Sequence, residues 1–251
     1  MSDAAESKPG PRSAEGLVAV VTGAASGIGA EVCAQLAERG VAAVTLVDLD
    51  REGAQRTAEQ LPVGLNHGVI GPVDVGDEAH MDYVFRSTAT EHGSVDLVFN
   101  NAAMMTPTPG LLDADLEVVN RVVATNVRSV LIGMRLAHRH MAGRGGSVVS
   151  TASGAGKVPF PSDPLYAATK AAVVNLTRSL APTFAADRIR VNAVCPSIVD
   201  TPMLRADGQP ENIDQLLEGV PLLTAEEVAT ALVDLALDPD ATGQTPSLFP
   251  R

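Results

Sequence analysis

Short runs of uninterrupted apolar residues alternate along this chain with longer stretches whose apolar positions recur every three or four residues. The first run, Leu17–Thr22 (LVAVVT), has no polar side, the mark of a strand covered on both faces. Ile28, Val32 and Leu36 then recur at four-residue intervals up to Arg39 and Gly40, which predicts a helix stopped by glycine. The two textures repeat as a strand at Ala43–Val47, a helix near Arg51–Gln60 and a strand near His67–Val73. A helix near Glu78–His92 and a strand at Val95–Phe99 follow. Helical texture covers Leu116–Met141, then come a strand at Gly146–Thr151 and a helix at Leu165–Ala185. A strand at Ile189–Val194, a helix near Ala225–Leu237 and a short strand near Gln244–Leu248 complete the pattern. Such alternation predicts an α/β fold, a doubly wound parallel sheet of about seven strands with helices on both faces. No internal repeat or linker divides it. Residues 16–251 read as one domain behind a polar, Pro/Gly-rich tail at residues 1–15.

Composition narrows the function. With 251 residues and 45% hydrophobic content, the chain can bury one large core. A formal charge of −12 disfavours nucleic acid and anionic membrane surfaces as partners. No apolar run reaches the length of a membrane span, and the first residues lack the apolar core of a signal peptide. The two cysteines, Cys33 and Cys195, lie far apart in apolar stretches, as expected of buried thiols in the reducing cytoplasm. His138 and His140 project to different sides of their helix, so no metal site is expected.

The first strand-to-helix junction carries chemistry. Gly23, Gly27 and Gly29 in TGAASGIG stand between a buried strand and a helix, together with Ser26 and Ile28. Glycines there let the backbone turn tightly and approach a pyrophosphate, which the helix N-terminus attracts. This is the arrangement of a Rossmann fold. The second strand ends at Asp48, whose carboxylate can accept hydrogen bonds from a ribose diol and would repel a 2′-phosphate. NAD is therefore favoured over NADP, although Asp48 could instead cap the next helix.

A second junction of chemical residue types is Tyr166-Ala-Ala-Thr-Lys170. On a helix these two side chains share one face, with Cβ atoms about 5–6 Å apart. A tyrosine exchanges a proton at moderate pH only if a nearby cation stabilises its phenolate. The same spacing also fits a ring packed on a lysine stem.

Taken together and in order, these motifs resemble the short-chain dehydrogenase/reductase family in its short single-domain branch, over residues 16–245. TGAASGIG matches the family's cofactor loop, with Asp48 and Leu49 at its ribose position. Asp74 and Val75 match the adenine-facing segment. Asn100-Asn101-Ala102-Ala103 is similar to N-N-A-G, and Pro196–Thr201 (PSIVDT), containing Val199 and Thr201, to the segment that holds the nicotinamide. Ala103 and Ser197 replace glycines of those patterns. Asn126, Ser153, Tyr166 and Lys170 match the catalytic set, with Ser153 thirteen residues before Tyr166. The resemblance implies NAD as cofactor, hydride transfer between a secondary alcohol and a ketone, and Tyr166 as general acid/base. It also implies that Lys170 lowers the Tyr166 pKa and binds the nicotinamide ribose, that Ser153 orients substrate, and that Asn126 holds a relay water. No metal is required.

The ending TGQTPSLFPR, with PFPSDPLYAATK and VNAVCPSIVDTPML, is more loosely similar to hydroxyprostaglandin dehydrogenase-like members. Specificity is expected from Ser153–Tyr166 and from a lid at 201–220, whose Leu204, Ile213, Leu216, Leu217 and Val220 favour an apolar or neutral small-molecule alcohol or ketone. Relatives pair the two long helices with a neighbour's copies, and the small residues Ala167, Ala168, Ala171 and Ala172 fit that, so a homo-oligomer (tetramer or dimer) is expected. Two alternatives compete with the dehydrogenase reading. One is a non-catalytic NAD(H)-sensing protein. The other is a redox-linked epimerase or dehydratase, whose relatives usually have a larger substrate domain.

Overall fold

The seven apolar runs form β1 (Val18–Thr22), β2 (Ala43–Val47), β3 (Asn66–Ile70), β4 (Leu97–Asn100), β5 (Gly146–Thr151), β6 (Ile189–Pro196) and β7 (Ser247–Leu248). They make one sheet in the order β3-β2-β1-β4-β5-β6-β7, every pair parallel. The computed structural model describes residues 12–108, 110–205, 215 and 217–250. The strand order reverses between β1 and β4, and at such a reversal the loops beyond the strands' carboxyl ends part into a crevice.

The alternating side chains of each strand explain the two layers. Ala19, Val21, Val44, Leu46, Phe99 and Val149 point to one face, where α1 (Gly27–Glu38), α2 (Arg51–Glu59) and α7 (Ala225–Leu237) cover them with Val32, Leu36, Ala54 and Leu232. Val20, Val47, Val98, Val148 and Cys195 point to the other. There α3 (Glu78–His92), α5 (Ser129–Met141) and α6 (Pro164–Ala185) supply Phe85, Met134, Leu136 and Val173. Both sides of β1 are therefore dry, which is why its sequence shows no alternation. Both thiols are buried and unpaired.

Three boundaries differ from the sequence pattern. The third strand stops at Ile70, short of Val73, because Pro72 has no N–H to give to a ladder. The helical stretch Leu116–Met141 is not uniform. An α-helix, α4 (Leu116–Val123), runs through a π-turn at Ala124–Arg128 into α5, so one extra residue is accommodated at Asn126. The expected tail also ends earlier than residue 15: Ala14 is fully buried, its N–H donates to the Arg39 carbonyl, and Arg12 pairs with Asp238 at 3.0 Å. Residues 1–11 lie outside the described residues. So do 206–214 and 216 of the expected lid, including Ile213 and Leu216. Among the described residues no helix is long and apolar enough to cross a membrane.

One contact between layers is unusually close. Gly133 of α5 lies against Asn100 at the end of β4, and a Cβ on it would come within 2.1 Å of Asn100 Oδ1. Gly→Ala in a helix interior normally gains about 1 kcal/mol. Here overpacking dominates, and Gly133→Ala is expected to lose about 1–3 kcal/mol in urea unfolding. A more stable variant would show that α5 does not sit this tightly on β4.

Candidate active site

In the loop from β1 to α1, each glycine has its own reason. Gly23 and Gly27 hold φ of +69° and +53°, where a side chain is strained. Gly29 has ordinary backbone, but a Cβ there would sit 2.0 Å from the Gly23 carbonyl oxygen. The turn is thus folded tightly onto its own helix. Ser26 occupies the N-cap of α1 without using its side chain as a cap, and the first turn holds no acidic residue. By contrast, Asp50, Asp77 and Asp163 cap α2, α3 and α6. The first-turn N–H groups of α1 are left to meet an anion, as a pyrophosphate requires. Thr201 completes this end of the site: its methyl lies 3.3 Å from where a Cβ on Gly27 would be. Val199 is half-buried and bridges to Leu223.

At the end of β2, Asp48 accepts one N–H on each carboxylate oxygen, from Ala25 at 2.9 Å and from Asp50 at 3.0 Å. Each oxygen keeps a further lone pair. Asp50, not Asp48, caps α2, through the Gly53 N–H at 2.9 Å. Beside this carboxylate Leu49 is 69% exposed, an apolar surface suited to the flat face of a base. Ile28 packs against the core, Val75 is buried, and the exposed Asp74 accepts the Gly76 N–H at 2.8 Å within its own turn. A bare helix N-terminus, a half-buried carboxylate and an exposed leucine fit a dinucleotide laid across the carboxyl edge of β1 and β2.

The segment after β4 is tied down at both ends. Asn101 Nδ2 donates to the carbonyls of Thr22 (3.1 Å) and Gly23 (3.3 Å), and its Oδ1 accepts from Thr151 Oγ1 at 2.9 Å. One side chain therefore joins the ends of β1, β4 and β5. Asn100, expected at the cofactor, lies with its side chain against Gly133, and its buried Nδ2 has no partner among the described residues.

Tyr166 and Lys170 lie on one face of α6, with Lys170 Nζ 5.5 Å from the centre of the Tyr166 ring. Lys170 is 2% exposed and donates to the Thr151 carbonyl at 2.8 Å. Ser153, two residues beyond β5, accepts the Ala155 N–H at 3.1 Å and hydrogen-bonds the Tyr166 phenol. Burial pushes the phenol up to about 12, the Ser153 hydrogen bond pulls it down, and the Asp163 charge adds to the rise. Burial likewise pushes Lys170 down to about 8, against a smaller upward pull from Cys195. The expected lowering of the Tyr166 pKa by Lys170 is not the governing effect here. Burial is the largest influence on the phenol, and Lys170 directs one donor to the Thr151 carbonyl.

Asn126 is 1% exposed, and its side chain is held at both ends: Oδ1 accepts the Met104 N–H and Nδ2 donates to the Met104 carbonyl, both at 2.8 Å. Nδ2 also reaches Thr169 Oγ1 at 3.1 Å. Among the two glycine replacements, Ala103 is half-buried, while the Ser197 hydroxyl is buried with no partner among the described residues. Sequence reasoning missed Thr22, Asn101 as cross-link, Thr106, Thr151 and Asp163. Asp163 had a readable signal, since Asp followed by Pro164 is a strong helix start. The threonine hydroxyls gave none, because their partners are distant in sequence.

Known proteins agree with this geometry. The family model described as short chain dehydrogenase matches residues 17–212. A cis-4-hydroxycyclohexanecarboxylate dehydrogenase of Sinomonas cyclohexanicum is 39% identical over 88% of this chain and 89% of its own length. A 2-(R)-hydroxypropyl-CoM dehydrogenase of Xanthobacter autotrophicus is 37% identical over 90% and 92%. Among solved structures, a 3-ketoacyl-(acyl-carrier-protein) reductase of Brucella melitensis complexed with NADH superposes with TM-score 0.84 at 30% identity, covering 94% of this chain and 98% of that one. A short chain dehydrogenase of Burkholderia cenocepacia in complex with NADP gives 0.82 at 28%, covering 94% and 97%. With the Rossmann sheet, the glycine turn and the Ser153–Tyr166–Lys170 cluster on one carboxyl edge, this chain belongs to the short-chain dehydrogenase/reductase family of oxidoreductases.

Proposed function

We propose that the protein interconverts a secondary alcohol and a ketone, using NAD, with Tyr166 as the proton carrier. The observation that carries this reading is the half-buried Tyr166 phenol, hydrogen-bonded by Ser153 and sharing a helix face with the buried Lys170. A bound nicotinamide would supply the hydride acceptor for oxidation and the donor for reduction. Tyr166 gives its proton to the ketone oxygen in reduction and takes the hydroxyl proton in oxidation. With its phenol held near 12, it is protonated at neutral pH and poised as an acid, so oxidation rises with pH. Ser153 steadies the same substrate oxygen. Lys170, near 8, changes charge within the working range and biases the proton on Tyr166.

The substrate is a small alicyclic or open-chain secondary alcohol without an obligatory charged group. Two relatives are named for hydroxyl compounds, one of them a carboxylate, but Lys157, the one cation of the Ser153–Tyr166 loop here, is engaged with the Thr245 carbonyl and Ser247. Leu116, Val123 and Leu131 are exposed along α4 and α5, an apolar stripe on which we expect a second copy to pack. We assign the protein to the cytoplasm on its two unpaired thiols.

The reading is tested with a panel of cyclohexanol, 4-hydroxycyclohexanecarboxylate, 2-butanol and their ketones, followed by NADH absorbance. Tyr166→Phe should lose turnover on the order of a thousandfold while NADH still quenches or titrates normally. Full turnover by that variant would return the Tyr–Lys pair to a packing role and favour the sensing alternative.

Cofactor choice rests on Asp48. Its carboxylate offers lone pairs to a ribose diol and opposes a 2′-phosphate, so kcat/KM for NAD should exceed that for NADP by at least tenfold, about 1.4 kcal/mol. Asp48→Ala should narrow the ratio. Equal use of both by the unmodified protein would remove Asp48 from this role.

A further inference from the structure

Asp163 is 5% exposed and spends its carboxylate on two different parts of the site. As N-cap of α6, its Oδ1 accepts the Tyr166 N–H at 3.0 Å. The same Oδ1 accepts the Thr106 hydroxyl at 2.6 Å, and Oδ2 accepts the Thr106 N–H at 2.8 Å. A cap needs only the first of these bonds, and serine would serve for it. The other two reach the segment that starts at Asn101. That segment is therefore held in succession by Thr22 and Gly23 at the glycine turn, by Asn126 at Met104, and by Asp163 at Thr106. It forms a strut between the loop where the dinucleotide would lie and the first turn of the helix that carries the phenol. Thr169 closes the loop, accepting from Asn126 and donating to the Tyr166 carbonyl at 2.7 Å.

We propose that Asp163 is a positioning residue for catalysis: through Thr106 it fixes the Tyr166 phenol relative to the cofactor loop. The inference rests on the dehydrogenase reading above. Hydride and proton leave the same carbinol in opposite directions, so both acceptors must be set to within about 1 Å, and a misplacement of that size costs up to 100-fold. A helix cap alone would hold α6 together without fixing that distance.

Two variants separate the roles. Asp163→Ser keeps a cap for the Tyr166 N–H but cannot also reach Thr106. Thr106→Val keeps the carboxylate and the cap and removes only the hydroxyl. The measurements are kcat and KM on the panel alcohol that the unmodified protein oxidises fastest, with its carbinol-deuterated form, across a pH series, and Tm. Both variants should lower kcat about 10–100-fold, leave the KM for NAD within about twofold, and raise the deuterium isotope effect. Asp163→Ser should also move the alkaline rise of oxidation to lower pH, because a negative charge that opposes phenolate formation is gone. The other groups facing the pair are Lys170 on the same helix, Ser153 after β5 and the Cys195 thiol of β6, while Thr106 and Asn126 are uncharged. Thr106→Val should leave that rise in place. Native kcat and an unmoved pH profile in Asp163→Ser would reduce Asp163 to a cap, and so would native kcat in Thr106→Val. If Asp163→Ser does not fold, Thr106→Val decides alone. An unmodified protein that oxidises no panel alcohol would remove the dehydrogenase reading and this inference with it, an outcome separate from active protein with indifferent variants.

Discussion

A buried lysine ammonium beside a half-buried tyrosine phenol on one helix face is the constraint that the rest of the site answers to. Burial opposes charge on both groups and drives their pKa values apart, the phenol up to about 12 and the amine down to about 8. Between those values the pair is neutral, and below the lower one it carries a single cation. A core position filled by an apolar side chain would be more stable. The fold keeps the lysine by giving it the Thr151 carbonyl at the end of β5, the strand that also delivers Ser153. The proposed proton chemistry thus depends on where the sheet ends.

The sheet supplies that end by ordinary packing. Its strands are apolar on both faces, so helices must cover each, and polar side chains concentrate where the strands run out. There the cross-links are polar and cross between elements: Thr22 to Asn101, Asn101 to Thr151, Asn126 to Met104, Asp163 to Thr106. Each is buried or half-buried, where a hydrogen bond left unmade costs about 1–3 kcal/mol. Such bonds specify geometry. The π-turn at Ala124–Arg128 belongs to the same system, since it swings Asn126 inward to grip Met104 where a regular helix would present a different residue.

Much of this was legible in the sequence because it rests on local rules. Continuous apolar runs gave the parallel strands, four-residue spacing gave α1, and the glycines Gly23–Gly29 marked the tight turn into it. Tyr166 and Lys170 were visible because helical spacing is local. What escaped depends on contacts far apart in sequence. The strut from Asn101 to Thr106 has no periodicity of its own, and its partners lie between 22 and 80 residues away. The direction of the Tyr166 shift escaped for a related reason. Sequence reveals that a cation is near, whereas burial, the larger effect here, is a property of the assembled layers. Asn100 shows the same limit: nothing in its motif indicated that its side chain packs against Gly133 of α5.

The chain holds two tyrosines and no tryptophan, so replacing the exposed Tyr83 by phenylalanine leaves Tyr166 as the only phenol. Its ionisation can then be followed directly by phenolate absorbance, with and without saturating NAD. The account predicts that, in protein alone, phenolate appears only well above the ordinary tyrosine value of about 10, toward 12, and that NAD brings the midpoint down by placing a cation against the phenol. A midpoint near 10 that NAD does not move would contradict it, because burial would then not control the group on which the proton transfer depends.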